Sequence, residues 1–383
     1  MNNVQNAATV TVEEIQAAHL EGVRSQTVEF VLPHELFGLN EPLAGVKPLP
    51  VPVEAHPLTP KCDPNFVFSP GLLRRVLLSM QMKDSIMLVG DKGTGKSSLV
   101  AQLHNRLNKP LLAINGSNGV DETHLLGSKT IEGGDVKSFD GVLSYAYRYG
   151  LSFLLDEICT LRPGVLVGIN DILQGDALVT LKHHGIDPRL DPKHLLSMES
   201  GLNIVRHPMF RLFATDNTGG KQSRDPRFAG TATQNAAVRS RFTSFKVPFM
   251  APEKEMAALK HIATSFAASR QVEAVSDVEI QGMVEFALRS RAAFAAADAS
   301  DNISFRELKR WVEKRTLYGQ LDDSFVDSIY TNLDEADQAL ALMNFEETFG
   351  REVALPEEYK LSAADVCEAF ITKASKTAVT AVA

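Results

Sequence analysis

The sequence predicts an α/β chain: a three-layer αβα domain on a mostly parallel five-stranded sheet, followed by a smaller helical domain. Three observations predict it. Between residues 65 and 250, apolar runs of strand length alternate with helical periods. The first of those strands runs straight into a glycine-rich turn and then a helix. After Ala251 only helical periods remain.

Residues 1–60 read as an N-terminal extension. A short helix is expected over Val12–Val23 and a strand over Thr27–Leu32, and six prolines between Pro42 and Pro60 favour an extended tether over a packed layer. The domain from 61 to 250 takes its strands from Ser85–Val89, Pro110–Ile114, Ser152–Leu155, Arg211–Thr215 and Thr243–Val247. Helical residues 251–318 follow. Pro252 suits a first helical turn, Glu253 and Glu255 suit the positive end of the helix dipole, and Met256, Leu259, Ile262 and Phe266 share a face. Ser304 and Glu307 have the spacing of a capping box, which puts Arg306 in a first helical turn beside Lys309 and Arg310. Residues 319–383 are an acidic helical extension: 13 acids face 2 bases between Leu321 and Glu368, and the tail from Lys373 is expected to fray.

Composition narrows the function classes. The 383 residues carry 39 basic and 47 acidic side chains, a net charge of −8, which argues against a protein that lives mainly on nucleic-acid phosphates. No apolar run reaches membrane-spanning length and the first residues are polar, so a cytoplasmic protein with no membrane partner is expected. Cys62, Cys159 and Cys367 are too scattered for a disulfide framework or a paired zinc site and read as reduced thiols.

The chemistry concentrates at strand ends. Gly90-Asp91-Lys92-Gly93-Thr94-Gly95-Lys96-Ser97, with Ser98 behind it, matches G-x-x-x-x-G-K-[ST] between a strand and a helix. Such a loop turns backbone N–H groups toward an anion, the helix N-terminus adds partial positive charge, Lys96 reaches the β and γ phosphates, and Ser97 ligates Mg²⁺. The strand Ser152–Leu155 ends in Asp156-Glu157. Asp156 is expected in the magnesium shell, and Glu157 as the acceptor of a proton from attacking water. Asn217, just past the Arg211–Thr215 strand, reaches the same sheet edge and is expected to orient water or touch the γ phosphate. Eight bases against two acids between Arg206 and Lys246 suggest cations that face phosphate, and Arg241 is the choice for a finger donated to a neighbour's nucleotide.

On these motifs the chain resembles the AAA+ ATPases, and within them the MoxR group, most closely the CobS-like ATPase subunit of cobaltochelatase. The similarity runs from about Phe37 to Glu313. It is carried by Phe37-Gly38-Leu39, the glycine-rich loop, Asp140-Gly141-Val142-Leu143, Asp156-Glu157 with Arg162-Pro163, and Phe210 through Thr215 with Asn217-Thr218. The resemblance implies Lys96 as the Walker A lysine, Asp156 and Glu157 as Walker B, Asn217 as sensor 1, Arg241 as arginine finger and Arg306 as sensor 2. Two stretches depart from the family pattern: Ser240-Arg241-Phe242 stands where Asp-Arg-Phe is typical, and Ser304-Phe305-Arg306 where Ser-Pro-Arg is common. The resemblance further implies ATP and Mg²⁺, a homo-oligomeric ring, usually hexameric, and an adaptor with a von Willebrand factor A domain. Residues of about 120–136, with a Gly133-Gly134 turn, and 182–207 correspond to the group's inserted hairpins. His183, His184, His194 and His207 in the second fit no compact metal-ligand spacing, and Cys159 reads as a packed small residue. The expected function is an ATP-hydrolysing motor or chaperone that remodels or activates a partner complex, metal insertion included. A nucleic-acid-directed motor and a nucleotide-gated scaffold are the alternatives.

Overall fold

The computed structural model describes residues 12–24, 27–132, 135–182, 203–218, 236–356 and 359. They divide into two units, one ending at Phe249 and the other beginning at Met250.

The first unit is built on β1 (Ser85–Val89), β2 (Leu111–Asn115), β3 (Ser152–Asp156), β4 (Arg211–Asp216) and β5 (Phe242–Lys246). All neighbours are parallel, in the order β5-β1-β4-β3-β2. Both faces of the sheet are covered, so each strand is apolar on alternate residues in both directions. Ile86, Leu88, Leu154 and Phe213 point into one core with Leu73, Leu77, Leu99 and Leu103, from the helices Pro70–Met82 and Lys96–Arg106. Met87, Phe153, Leu155, Leu212 and Ala214 point into the other, against Leu143, Tyr147 and Leu166. Truncating one such buried leucine to alanine costs about 2–5 kcal/mol. Because β4 lies between β1 and β3, the loops that leave these three strands share one edge of the sheet.

The proline-rich run differs from an extended tether. Val28–Val31 pairs antiparallel with Leu49–Pro52, and Leu43 and Leu49 are buried with Phe37 and Phe68 in the first core. A two-stranded ribbon tolerates Pro50 and Pro52 because an edge strand does not need every N–H donor. The apolar residues between the prolines supply the burial that composition alone hid. The first inserted hairpin also starts later than its sequence suggests. Asp121 caps a short helix, Glu122–Leu126, and the hairpin proper pairs Gly127–Glu132 with Asp135–Asp140. Gly133 and Gly134 lie outside the described residues. The second insertion is framed by Leu178–Thr180 paired with Asn203–Val205. His183, His184 and His194 lie outside the described residues, as do Cys367 and the tail from Lys373.

In the second unit, the helices Pro252–Arg270, Asp277–Ala296 and Phe305–Tyr318 share a core with Leu321–Ser328 and Glu335–Phe349. Trp311 stacks edge-on or tilted against Phe286, Phe325, Phe345 and Phe349, with ring centroids 5.3–6.4 Å away. The acidic stretch therefore contributes aromatic side chains to the same interior as the preceding helices. Glu255 lies in the first turn of its helix, as expected, but is buried there. It is 1% exposed and takes both Nη groups of the 8%-exposed Arg291 at 2.8 and 2.9 Å, while Arg291 Nε donates to the Ile303 carbonyl. The capping box at the next helix forms: Ser304 Oγ accepts from the Arg306 N–H, and Glu307 Oε2 accepts from the Ser304 N–H at 2.7 Å.

Candidate functional site

The glycine-rich loop leaves β1 and turns into the helix Lys96–Arg106. Gly95, at φ 84°, occupies the left-handed region that a side chain resists, and it is the helix N-cap. Gly90 is a steric requirement of another kind: a Cβ there would sit 2.4 Å from the Val247 carbonyl oxygen. Between them Thr94 Oγ1 donates to the Asp91 carbonyl at 3.0 Å. Lys96 is 6% exposed and donates from Nζ to the Gly90 and Asp91 carbonyls, both at 2.8 Å. Burial lowers its pKa, and the nearby carboxylates, Asp156 foremost, pull the other way. Asp91, Lys92 and Ser98 are exposed.

β3 brings its two terminal carboxylates to this loop. Ser97 Oγ donates to Asp156 Oδ1 at 2.6 Å. Glu157 turns out of the strand at φ 53°, ψ 50°, a region that costs a non-glycine residue about 1–3 kcal/mol. Its Oε1 accepts from Asn217 Nδ2 at 3.3 Å. Lys96, Ser97, Asp156, Glu157 and Asn217 thus meet at the edge where β1, β3 and β4 end. The oxygen donors of Ser97 and Asp156 suit a hard divalent cation such as Mg²⁺, and the Lys96 ammonium at the start of the helix that follows the glycine-rich turn suits phosphate.

Arg241 lies at the opposite edge, one residue before β5. Its Nη1 donates to the Ala237 carbonyl, and the Gln174 amide, with its oxygen turned inward, accepts from Nε and Nη2 at 3.1 and 2.8 Å. It lines an open cleft of about 390 Å³ with Lys83, Asp84, Gln174 and Arg206. Arg306 is exposed in the first turn of its helix in the second unit.

The basic stretch is corrected in part. Arg206 donates to the Gly175 and Lys83 carbonyls, and Arg211 to Met80, Pro208 and Phe210. These arginines close the carbonyl ends of the helices Pro70–Met82 and Asn170–Gln174, a use that complements the helix dipoles and needs no phosphate. Lys221, Arg224 and Arg227 lie outside the described residues. Cys159 is buried beside Asp216 and Asn217, at the edge that carries Glu157, and burial pushes its thiol up to about 11, as a packed side chain would have it. His207 packs on His19 with ring centroids 4.6 Å apart, and burial holds it down at about 4. Among the described residues no group of three or more His, Cys, Asp or Glu side chains could hold a metal ion, and no helix is long and apolar enough to cross a membrane.

Two residues to which the motifs assign no role complete the site. Thr215 Oγ1 donates to Asp156 Oδ1 and accepts from the Glu157 N–H. Gly116, just past β2, donates its N–H to the Asp156 carbonyl at 2.7 Å, and a Cβ there would meet the Glu157 carbonyl at 2.4 Å and Thr160 Oγ1 at 2.5 Å. The hint was a glycine following a strand, which a turn explains as well.

Residues 85–242 match the AAA domain of the dynein-related subfamily. That stretch is an AAA+ ATPase domain. It is similar to the aerobic cobaltochelatase subunit CobS of a Sinorhizobium species, 28% identical over 83% of this chain and 90% of that protein. It is also similar to NorQ of Paracoccus denitrificans, 26% identical over 45% of this chain and 55% of NorQ. Midasin of Dictyostelium discoideum is 32% identical over 42% of this chain, a match that spans 3% of midasin. The domain match and these relatives agree with the resemblance to the MoxR and CobS-like ATPases.

Proposed function

We propose that this AAA+ ATPase assembles into a ring, binds ATP at the boundary between copies, and uses its hydrolysis to remodel or activate a partner complex. The observation that supports it most is the division of the site. The loop, both carboxylates and Asn217 converge at one edge of the sheet, while Arg241 is carried at the opposite edge, beyond reach of its own glycine-rich loop. A finger so placed serves a neighbour, and closed rings repeat such head-to-tail contacts.

In this reading the N–H groups of Gly90–Ser97 and the Lys96 ammonium hold the triphosphate, with Lys96 exchanging its two carbonyl partners for phosphate oxygens. Ser97 Oγ and Asp156 would hold Mg²⁺, which would supply positive charge against the phosphates. Glu157 accepts a proton from the attacking water at its carboxylate, and Asn217 Nδ2 holds that carboxylate in place. Arg241 of the neighbouring copy stabilises charge on the γ phosphate, and for Arg306 the family resemblance implies the sensor 2 role. The similarity to the cobaltochelatase subunit CobS supports a client complex that handles metal, and the family resemblance implies an adaptor with a von Willebrand factor A domain as the intermediary.

Mixing two inactive variants tests the shared boundary. Lys96→Ala lacks its own phosphate contact but keeps a finger, and Arg241→Ala has the reverse defect. At equal amounts about one boundary in four joins an intact site to an intact finger, so phosphate release should reappear at that fraction of the wild-type rate. Recovery of no activity, together with a monomeric sedimentation profile in Mg-ATP, would remove the ring from the reading.

A further inference from the structure

The hydroxyl of Thr215 is used in both directions. Thr215 is 1% exposed, near the end of β4 and between β1 and β3. It donates to Asp156 Oδ1 at 2.5 Å and accepts from the Glu157 N–H at 2.8 Å. A threonine hydroxyl has one proton to give and lone pairs to receive, so one side chain fixes a carboxylate rotamer and the next residue's backbone together. That backbone needs support. Glu157 sits at φ 53°, where a side chain is held only if its surroundings over-determine it. Asp156 Oδ1 also takes the Ser97 hydroxyl at 2.6 Å, so one carboxylate oxygen accepts from two hydroxyls.

We infer that Thr215 is a positioning residue for hydrolysis: it keeps Asp156 aimed at the metal position when Ser97 turns toward the cation, and it holds Glu157 in the left-handed turn that presents its carboxylate to water. The inference rests on the assignment of Asp156 and Glu157 proposed above. Thr215 touches neither nucleotide nor metal. It ties the strand that carries Asn217 to the strand that carries both carboxylates, so a shift of β4 is felt at Asp156 and Glu157 at once.

The experiment compares wild type, Thr215→Val, Thr215→Ser and Glu157→Gln by steady-state phosphate release over a Mg²⁺ titration, with binding of a fluorescent ATP analogue measured alongside. Valine keeps the shape and removes both hydrogen bonds. Thr215→Val should lower kcat by about 10- to 100-fold and raise the Mg²⁺ concentration for half-maximal rate, with analogue affinity within about twofold of wild type. Thr215→Ser should return kcat to within about threefold. A Thr215→Val enzyme with wild-type kcat and Mg²⁺ dependence overturns the inference, provided Glu157→Gln is inactive. If Glu157→Gln itself retains wild-type turnover, the underlying assignment fails and the inference with it. Should Thr215→Val not fold, two results remain decisive. Serine must rescue, and the Glu157 amide of the wild type must exchange with deuterium far more slowly than an unprotected amide; failure of either overturns the role.

Discussion

Gly116→Ala is the sharpest test of how the carboxylate strand is held. An alanine Cβ would lie 2.4 Å from the Glu157 carbonyl oxygen, 2.5 Å from Thr160 Oγ1 and 3.0 Å from the Asp156 carbonyl oxygen, where ordinary contact begins at 3.4 Å. The first gap must open by about 1 Å, and the atom in the way is backbone at the turn that carries Glu157, so no side-chain rotation relieves it. A displacement of that size at a reacting group costs about 100-fold in rate. Overpacking of this kind also costs about 1–3 kcal/mol of stability, or about 3–10 °C in the melting temperature of a unit this large. The glycine-rich loop lies on another strand, so binding of a fluorescent ATP analogue should change little. Phosphate release and thermal melting together check the expectation. An alanine variant that turns over within twofold of wild type at an unchanged melting temperature would refute the close approach and the argument built on it.

Three further outcomes follow from the same geometry. Glu157→Gln removes the proton acceptor and keeps the shape, so turnover should fall by about 100- to 10,000-fold while analogue binding persists; equal loss of both would instead make Glu157 a binding residue. Arg291→Met strands the Glu255 carboxylate in the helical unit and should cost about 3–5 kcal/mol in urea unfolding, whereas Glu255→Met with Arg291→Met should recover most of it. A double variant no more stable than the single one would contradict the buried pair. Burial holds the His104 imidazole down at about 4, so below its ordinary range near 6.5 the unfolded chain takes up a proton that the folded chain refuses. Its contribution is intact above that range and lost as pH falls toward 4. Between pH 7 and pH 5 it should remove about 2 kcal/mol, and His104→Leu should flatten the fall by that amount.

The phosphate loop, the five strands and the capping box were legible because each is local: a spacing or a period within about ten residues fixes it. Strand limits moved by a residue or two, since the final polar residue of β2 or β3 pairs as well as an apolar one. Arg206 and Arg211 were less legible. A count of cations cannot tell which of them meet helix carbonyls, and that depends on the ends of the helices Pro70–Met82 and Asn170–Gln174, distant in sequence. The burial of Glu255 was hidden for the same reason, because its partner Arg291 is a whole helix away. Thr215 and Gly116 act across strands on a neighbour's backbone, and no motif within one strand can report what the adjacent strand touches.

The lone tryptophan of the chain is Trp311, sealed among phenylalanines in the helix that starts at Phe305. Excitation at long ultraviolet wavelengths therefore reads the C-terminal unit and nothing else, with no dye attached. Loss of order there can be followed separately from the sheet, and clipping the chain before Phe345 would strip the indole of its cover and redden its emission.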